Sequence, residues 1–196
     1  KIDFSLLHDV IVVDTGSRSM DEKRSRSVHE AISDQLRRLK ISWIYKKTDS
    51  VLRGHIVDEI DVLISELKIE KVLLIANNPA SGKIIKDGIY SINEMELNQT
   101  DFAHDPDFPA KSSMVKDILD FEKKKHLRFV SNPEMLNGTG IFIPDIVRSE
   151  ELNQWASSLN ETILPAGGSE FFEAILKSKG LKTTENKNKR TGFANK

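Results

Sequence analysis

Hydrophobic and polar positions along the chain follow two alternating rhythms. Val10-Ile11-Val12-Val13 is a short, continuous, β-branched run, the pattern of a strand buried on both faces. Beyond the polar stretch from Asp14 to Ser19, Val28, Ile32, Leu36 and Leu39 recur at intervals of four and three, which predicts a helix. Ile41-Ser42-Trp43-Ile44-Tyr45 reads as a second strand. A helix is then expected from about Arg53 to Leu67, with Ile56, Ile60, Leu63 and Leu67 on its apolar face. Lys71-Val72-Leu73-Leu74-Ile75-Ala76 gives a third strand. Strand and helix in strict alternation imply right-handed βαβ crossovers. The expected class is therefore α/β: three layers, a mostly parallel sheet with helices on both faces.

After Ala76 the rhythm changes. Gly88 to Leu97 alternates at period two around a polar tip, which predicts an inserted β-hairpin. Asp101 to Pro109 is a loop, and Val115 to Phe121 looks helical. Gly140-Ile141-Phe142-Ile143-Pro144 reads as a further strand, followed by a helix near Glu150–Leu159. Thr162-Ile163-Leu164-Pro165 reads as the last strand, and Ser169 is placed as the N-cap of a helix over Glu170–Leu176. From Lys177 to Lys196, seven residues are Lys or Arg, and Leu181 and Phe193 are the bulky apolar ones. That composition assigns residues 1–176 to one domain and 177–196 to a basic linker or tail.

Composition narrows the function. The 196 residues hold 29 Lys+Arg against 30 Asp+Glu, a formal charge of −1, which argues against affinity built on nucleic-acid phosphates. With no cysteine there is no disulfide framework, thiolate nucleophile or Cys-based zinc site. The apolar runs are too short for a membrane helix, and Lys1-Ile2-Asp3-Phe4 does not open a signal peptide. A cytoplasmic protein without nucleic-acid or membrane partners is expected.

In an open parallel sheet, ligands bind beyond the carboxyl ends of the strands. The loop from Lys46 to His55 carries the densest chemistry there: two lysines, Asp49, Ser50 and Arg53. Cations beside helix amides suit a carboxylate or phosphate, and Asp49 can accept from ligand hydroxyls. The plainer alternative is that Asp49 or Ser50 caps the following helix. Ser81-Gly82-Lys83 suggests a Walker A loop, but Asn77 and Ile84 stand where that motif needs Gly and Ser or Thr. Gly167-Gly168-Ser169 at a helix start can admit a ligand close to the backbone, or make a plain tight turn. His104, Asp105 and Asp107 read as a structured polar loop rather than a metal site.

Lys47-Thr48-Asp49-Ser50-Val51-Leu52-Arg53-Gly54 resembles the K-x-D-S-T-L-R-G signature of the four-carbon acid sugar kinase family. Four more segments follow in the family's order. Val13 to Ser19 is similar to V-D-T-x-S-R-S, and Asn78 to Lys83 to the P-A-x-G-R turn that precedes a hairpin. Thr100 to Pro109 with Ser113 resembles T-x-F-A-x-D-P…P…S, and Ala166 to Ser169 the glycine-rich turn. The chain departs at Val51, at Lys83 in place of Arg, and in having no match to the family's opening A-D-D-x-T-G-A motif.

The resemblance implies an N-terminal domain that binds a small sugar acid and a C-terminal domain that holds most of the ATP and Mg2+. The whole enzyme would phosphorylate a hydroxyl of that acid, with a homodimer as the expected assembly. Residues 1–196 would be the acid-binding half and incompetent for transfer alone. Carried over residue by residue, the acid-binding role falls on Asp14, Ser17, Arg18, Lys47, Asp49, Ser50, Arg53, Gly82 and Lys83. Asp49 is the candidate catalytic group, and Gly167, Gly168 and Ser169 lie near phosphate; no metal ligand is assigned. Two other readings compete: a non-catalytic module for a small anionic metabolite, and a nucleotide-binding α/β domain using Gly167-Gly168.

Overall fold

The computed structural model describes residues 10–39 and 41–181. Its centre is a parallel sheet of five strands: β1 (Lys46–Lys47), β2 (Lys71–Ile75), β6 (Leu127–Val130), β7 (Gly140–Pro144) and β8 (Ile163–Gly167), in the order β1-β8-β2-β7-β6. A second, antiparallel sheet holds β3 (Lys83–Lys86), β4 (Ile89–Ile92) and β5 (Met95–Glu96).

The period-two geometry of a strand divides the core in two. Val72, Leu74, Ile141, Ile143, Leu164 and Ala166 face one side and pack with α2 (Ile56–Leu67) through Ile56, Ile60 and Leu63. Val115 in the short α3 (Val115–Ile118) and Tyr90 join the same cluster. Leu73, Ile75 and Phe142 face the other side, against α4 (Ser149–Ser157) and α5 (Ser169–Ser178) through Trp155, Phe171 and Ile175. The expected three-layer α/β architecture is thus present, with α1 (Glu22–Leu36) packed against α2.

That α1 contact departs from the pattern read in sequence. Val28, Ile32 and Leu36 are only half-buried, while Ser25, His29 and Ser33, four residues apart, are the buried seam. Small or polar side chains at these positions bring α1 close to α2, and they sink a titratable ring beside the sheet.

Several expectations need correction. Val10–Val13 forms no strand and is exposed, Val12 to 88%. β-branched residues supply the propensity, but a strand needs a paired neighbour, and among the described residues the sheet on this side ends at β1. Ile41–Tyr45 is not a strand either; Trp43 and Tyr45 instead pack their rings on Phe172, and pairing begins at Lys46. The predicted hairpin is β4–β5, turning at Asn93 and Glu94 with φ of 49° and 69°, but β3 precedes it as an unforeseen partner. β6 was also missed, because its Arg128 and Phe129 are exposed at the sheet's other edge and blur the apolar signal. Gly168, not Ser169, caps α5, whose last residues Lys177 and Ser178 take up the start of the expected tail. The rest of that tail, 182–196, lies outside the described residues, as does Lys1–Phe4. Among the described residues, no helix is long and apolar enough to cross a membrane.

Candidate ligand-binding cleft

The β1–α2 loop reverses the chain sharply where the sheet ends. Asp49 organises it: its Oδ1 accepts from the backbone N–H of Val51 at 2.9 Å, and Leu52 follows in the left-handed region at φ 64°. Asp49 therefore does not cap α2, which begins seven residues later at Ile56. The loop forms one wall of a cleft of about 470 Å³, within the size range of small-ligand sites. Facing it is the segment Asp14–Ser19, wound at Ser17–Ser19 into a single 3-10 turn. Of the residues singled out in sequence, Asp14, Ser17, Arg18, Lys47, Asp49 and Arg53 line this cleft.

Their roles separate on geometry. Arg53 gives Nε and Nη2 to the two oxygens of Asp49 at 3.2 and 2.8 Å, and Nη1 to Asp105 at 2.8 Å. Its guanidinium carbon also lies 5.0 Å from the ring centre of Phe102. That fork is occupied, so Arg53 anchors the Asp101–Pro109 loop to the cleft wall. This contact also accounts for Asp105, which earlier stood in a metal-like trio. Burial pushes the Asp49 carboxyl up, but the bonds from Arg53 and the Val51 N–H outweigh it and hold the group below its usual range. Asp49 is a fixed negative charge and a weak base.

Arg18 is different. Its side chain is 54% exposed, and its nearest ionic partner, Asp49, is 3.5 Å away. The stem lies over Gly54, where φ is +91° and a Cβ would come within 3.3 Å of Arg18 Cγ. Lys47, on the adjoining strand, donates to the carbonyl of Thr48 at 2.5 Å. Burial lowers its pKa, and Lys46 and Lys83 add to the effect against the pull of Asp49. Ser17 is buried and donates to Glu59 Oε1 at 2.5 Å, so its hydroxyl proton faces the protein interior.

The other expected residues do not line the cleft. Lys83 reaches the same loop from β3, donating to Ser50 Oγ at 3.0 Å, while Gly82 sits at the turn before it. Gly167 and Gly168 stand beside β1, with the Thr48 N–H bonded to Gly167 O at 2.9 Å. A Cβ on Gly167 would meet Ile75 O at 1.9 Å, so close strand packing by itself requires glycine there. Just beyond, Glu170 fills the first turn of α5 and accepts from Ala80 N at 3.2 Å and Ser149 Oγ at 2.5 Å. A carboxylate already placed at that helix start opposes a phosphate.

The sequence reading gave no role to Glu59 on the cleft floor or to the buried His29, and it counted Lys46 only as one of the loop's two lysines. Glu59 Oε2 accepts from Lys46 Nζ at 2.7 Å, and Lys46 Nζ lies 3.0 Å from His29 Nε2. A signal was available, since Glu59 falls between Ile56, Ile60 and Leu63 on the buried side of an otherwise amphipathic helix.

An open parallel sheet with a charged, polar cleft beyond its carboxyl edge defines a small-ligand-binding α/β domain. The family model described as "sugar-binding N-terminal domain" matches residues 3–175, and this chain belongs to that family. Its relatives include a D-erythronate kinase of Heliobacterium modesticaldum, 33% identical over 133 residues, which cover 67% of this chain and 30% of that protein. A D-threonate kinase of Salmonella typhimurium is 27% identical over 167 residues, covering 78% of this chain and 40% of that protein. The chain thus spans well under half the length of the curated relatives it matches. Among solved structures, a domain of unknown function from Bordetella bronchiseptica, crystallised with citrate as a domain-swapped dimer, superposes with a TM-score of 0.74 at 19% identity. That likeness covers 85% of this chain and 44% of the other. A Haemophilus influenzae protein also gives a TM-score of 0.74 at 19% identity, over 87% of this chain and 46% of its own.

Proposed function

We propose that this domain is the acid-binding half of an ATP-dependent kinase that phosphorylates a hydroxyl of a four-carbon sugar acid. The observation that carries the reading is the cleft, in which an exposed guanidinium stands beside a fixed carboxylate and two lysines. Such an acid bears one carboxylate and several hydroxyls, and it needs the same mixture of partners in return. The names of the relatives, D-erythronate and D-threonate kinase, support that ligand class.

In this reading Arg18 takes the substrate carboxylate through its planar fork. Asp14 accepts from a hydroxyl at the cleft mouth. Lys47, on the same wall, would offer a donor to the charge that accumulates on the transferred group. Asp49 and Arg53 hold the wall to which the others attach. Lys83 and Ser50 brace that wall from behind. Asp49, already bonded to Arg53, positions the site rather than removing a proton.

ATP would supply the phosphoryl group, and Mg2+ would balance the charge that develops on it. The Gly167–Glu170 turn does not fit a nucleotide cradle: its glycines are required by the approach of the chain at the end of β2, and Glu170 occupies the helix start beyond them. Nucleotide and metal are therefore assigned to the remainder of the kinase, and this chain contributes binding and orientation of the acid. A homodimer and a cytoplasmic location belong to the same proposal.

Calorimetric titration with D-erythronate and D-threonate tests the reading. The chain is expected to bind at least one of the two acids. Arg18→Ala should weaken binding about tenfold or more while changing unfolding stability by less than about 0.5 kcal/mol, since the side chain is largely exposed. Unchanged affinity in that variant, or no binding of either acid by the unmutated chain, contradicts it.

A further inference from the structure

At the cleft floor, Glu59 is 6% exposed and accepts three hydrogen bonds. Ser17 Oγ and Ser25 Oγ donate to its Oε1 at 2.5 and 3.0 Å, and Lys46 Nζ donates to its Oε2 at 2.7 Å. His29 is 2% exposed. Its Nδ1 lies 2.8 Å from the backbone carbonyl of Ser25, which can only accept, so Nδ1 carries the ring proton. The lone pair of Nε2 is then the acceptor for Lys46 Nζ at 3.0 Å. Burial and the neighbouring Lys46 charge both favour this neutral ring.

An ammonium has three N–H bonds, and two of those on Lys46 are accounted for by Glu59 and His29. Lys46 lines the cleft, and its side chain retains 12% exposure. We propose that Lys46 is a ligand-binding residue whose third N–H is presented to an oxygen of the bound ligand, with Glu59 and His29 as the positioning residues that aim it. The network joins α1, α2, β1 and the Ser17 turn, so the ammonium is held by elements that pack together rather than by a loose loop. A fixed donor costs less to order on binding than a flexible surface lysine. This inference rests on the cleft being the ligand site, as proposed above, but it does not depend on the ligand being a sugar acid.

The test uses the 196-residue chain and three probes, D-erythronate, D-threonate and inorganic phosphate. Lys46→Met alone strands a buried carboxylate, so the informative variant is Lys46→Met with Glu59→Gln, which removes both charges together. Circular dichroism and thermal melting establish that it folds. In the unmutated chain, saturating probe is expected to move the 15N resonance of His29 Nε2, because a third acceptor on Lys46 redistributes its hydrogen bonding. A purely structural lysine would leave that resonance in place. Affinity should fall about tenfold or more in the folded double variant.

Loss, in the double variant, of every probe that the unmutated chain binds, with the His29 shift present in the unmutated chain, supports the proposal. Phosphate binding that depends on Lys46, with no binding of D-erythronate or D-threonate, supports it while removing the sugar-acid reading. Retained affinity in the folded double variant overturns it and leaves that reading standing. Should the double variant not fold, the His29 resonance decides, and its failure to move at saturation overturns the proposal. Binding of none of the three probes overturns both.

Discussion

The charged residues of the cleft fall into two sets, those already matched within the protein and those left facing solvent. Arg53, Asp49 and Asp105 satisfy one another, while Glu59 and His29 take two of the three N–H bonds of Lys46. Two of these groups couple folding to pH. Burial and the Lys46 charge depress the folded pKa of His29 below 6.5, so the unfolded chain binds a proton there more readily. For Glu59, burial acts upward, but the charge and hydrogen bond of Lys46 and the hydrogen bond of Ser17 prevail and hold it below 4.5. Both contributions are complete above pH 6.5, where His29 is neutral in either state. That of His29 declines as pH falls from 6.5 towards its folded value, and that of Glu59 declines below 4.5. Urea unfolding from about pH 8 to about pH 4 should therefore show a plateau followed by falling stability. His29→Gln should remove the upper part of the fall, and an unchanged slope in that variant would count against the assignment. Residue chemistry of this kind was half legible. The Lys47–Gly54 motif stood out as a cluster in sequence, whereas the Lys46–Glu59–His29 contact joins three elements and no local spacing announces it.

Among the elements, those with a buried stripe were plain in the sequence. β2, β7 and β8 are apolar without interruption because both faces are covered, and α2 repeats at helical spacing because one face is. The failures lie at sheet edges. β6 mixes exposed and buried residues, β1 is two residues long, and Val10–Val13 has strand composition with no partner strand among the described residues. Where β8 ends beside β2, Gly167 at φ 150° leaves no room for a side chain. Gly167→Ala should destabilise the protein by about 2–4 kcal/mol in urea unfolding, from backbone strain and the clash with Ile75 O. A loss below about 1 kcal/mol would mean that the turn relaxes, and would reopen a ligand role for that glycine.

At the scale of the whole molecule, stability and binding occupy different regions. The core runs through β2, β7 and β8, while the cleft sits past the end of β1 at the edge of the sheet. Native-state hydrogen exchange should accordingly find the slowest amides in β2 and β8 and no protection over Val10–Val13. Val12→Lys should alter stability by less than about 0.5 kcal/mol, and a larger loss would show that this run is covered in solution. Separation of this kind lets a rigid sheet carry a charged rim and lets ligand-facing residues vary without unfolding the domain. The account stands most directly on where a four-carbon acid sits, which a crystal structure of this chain grown with D-erythronate would reveal. The acid should lie in the 470 Å³ cleft, with its carboxylate about 3 Å from the Arg18 guanidinium and an oxygen turned to Lys46 Nζ. Acid bound instead at the Gly167–Ser169 turn, or anywhere outside the cleft, would contradict it.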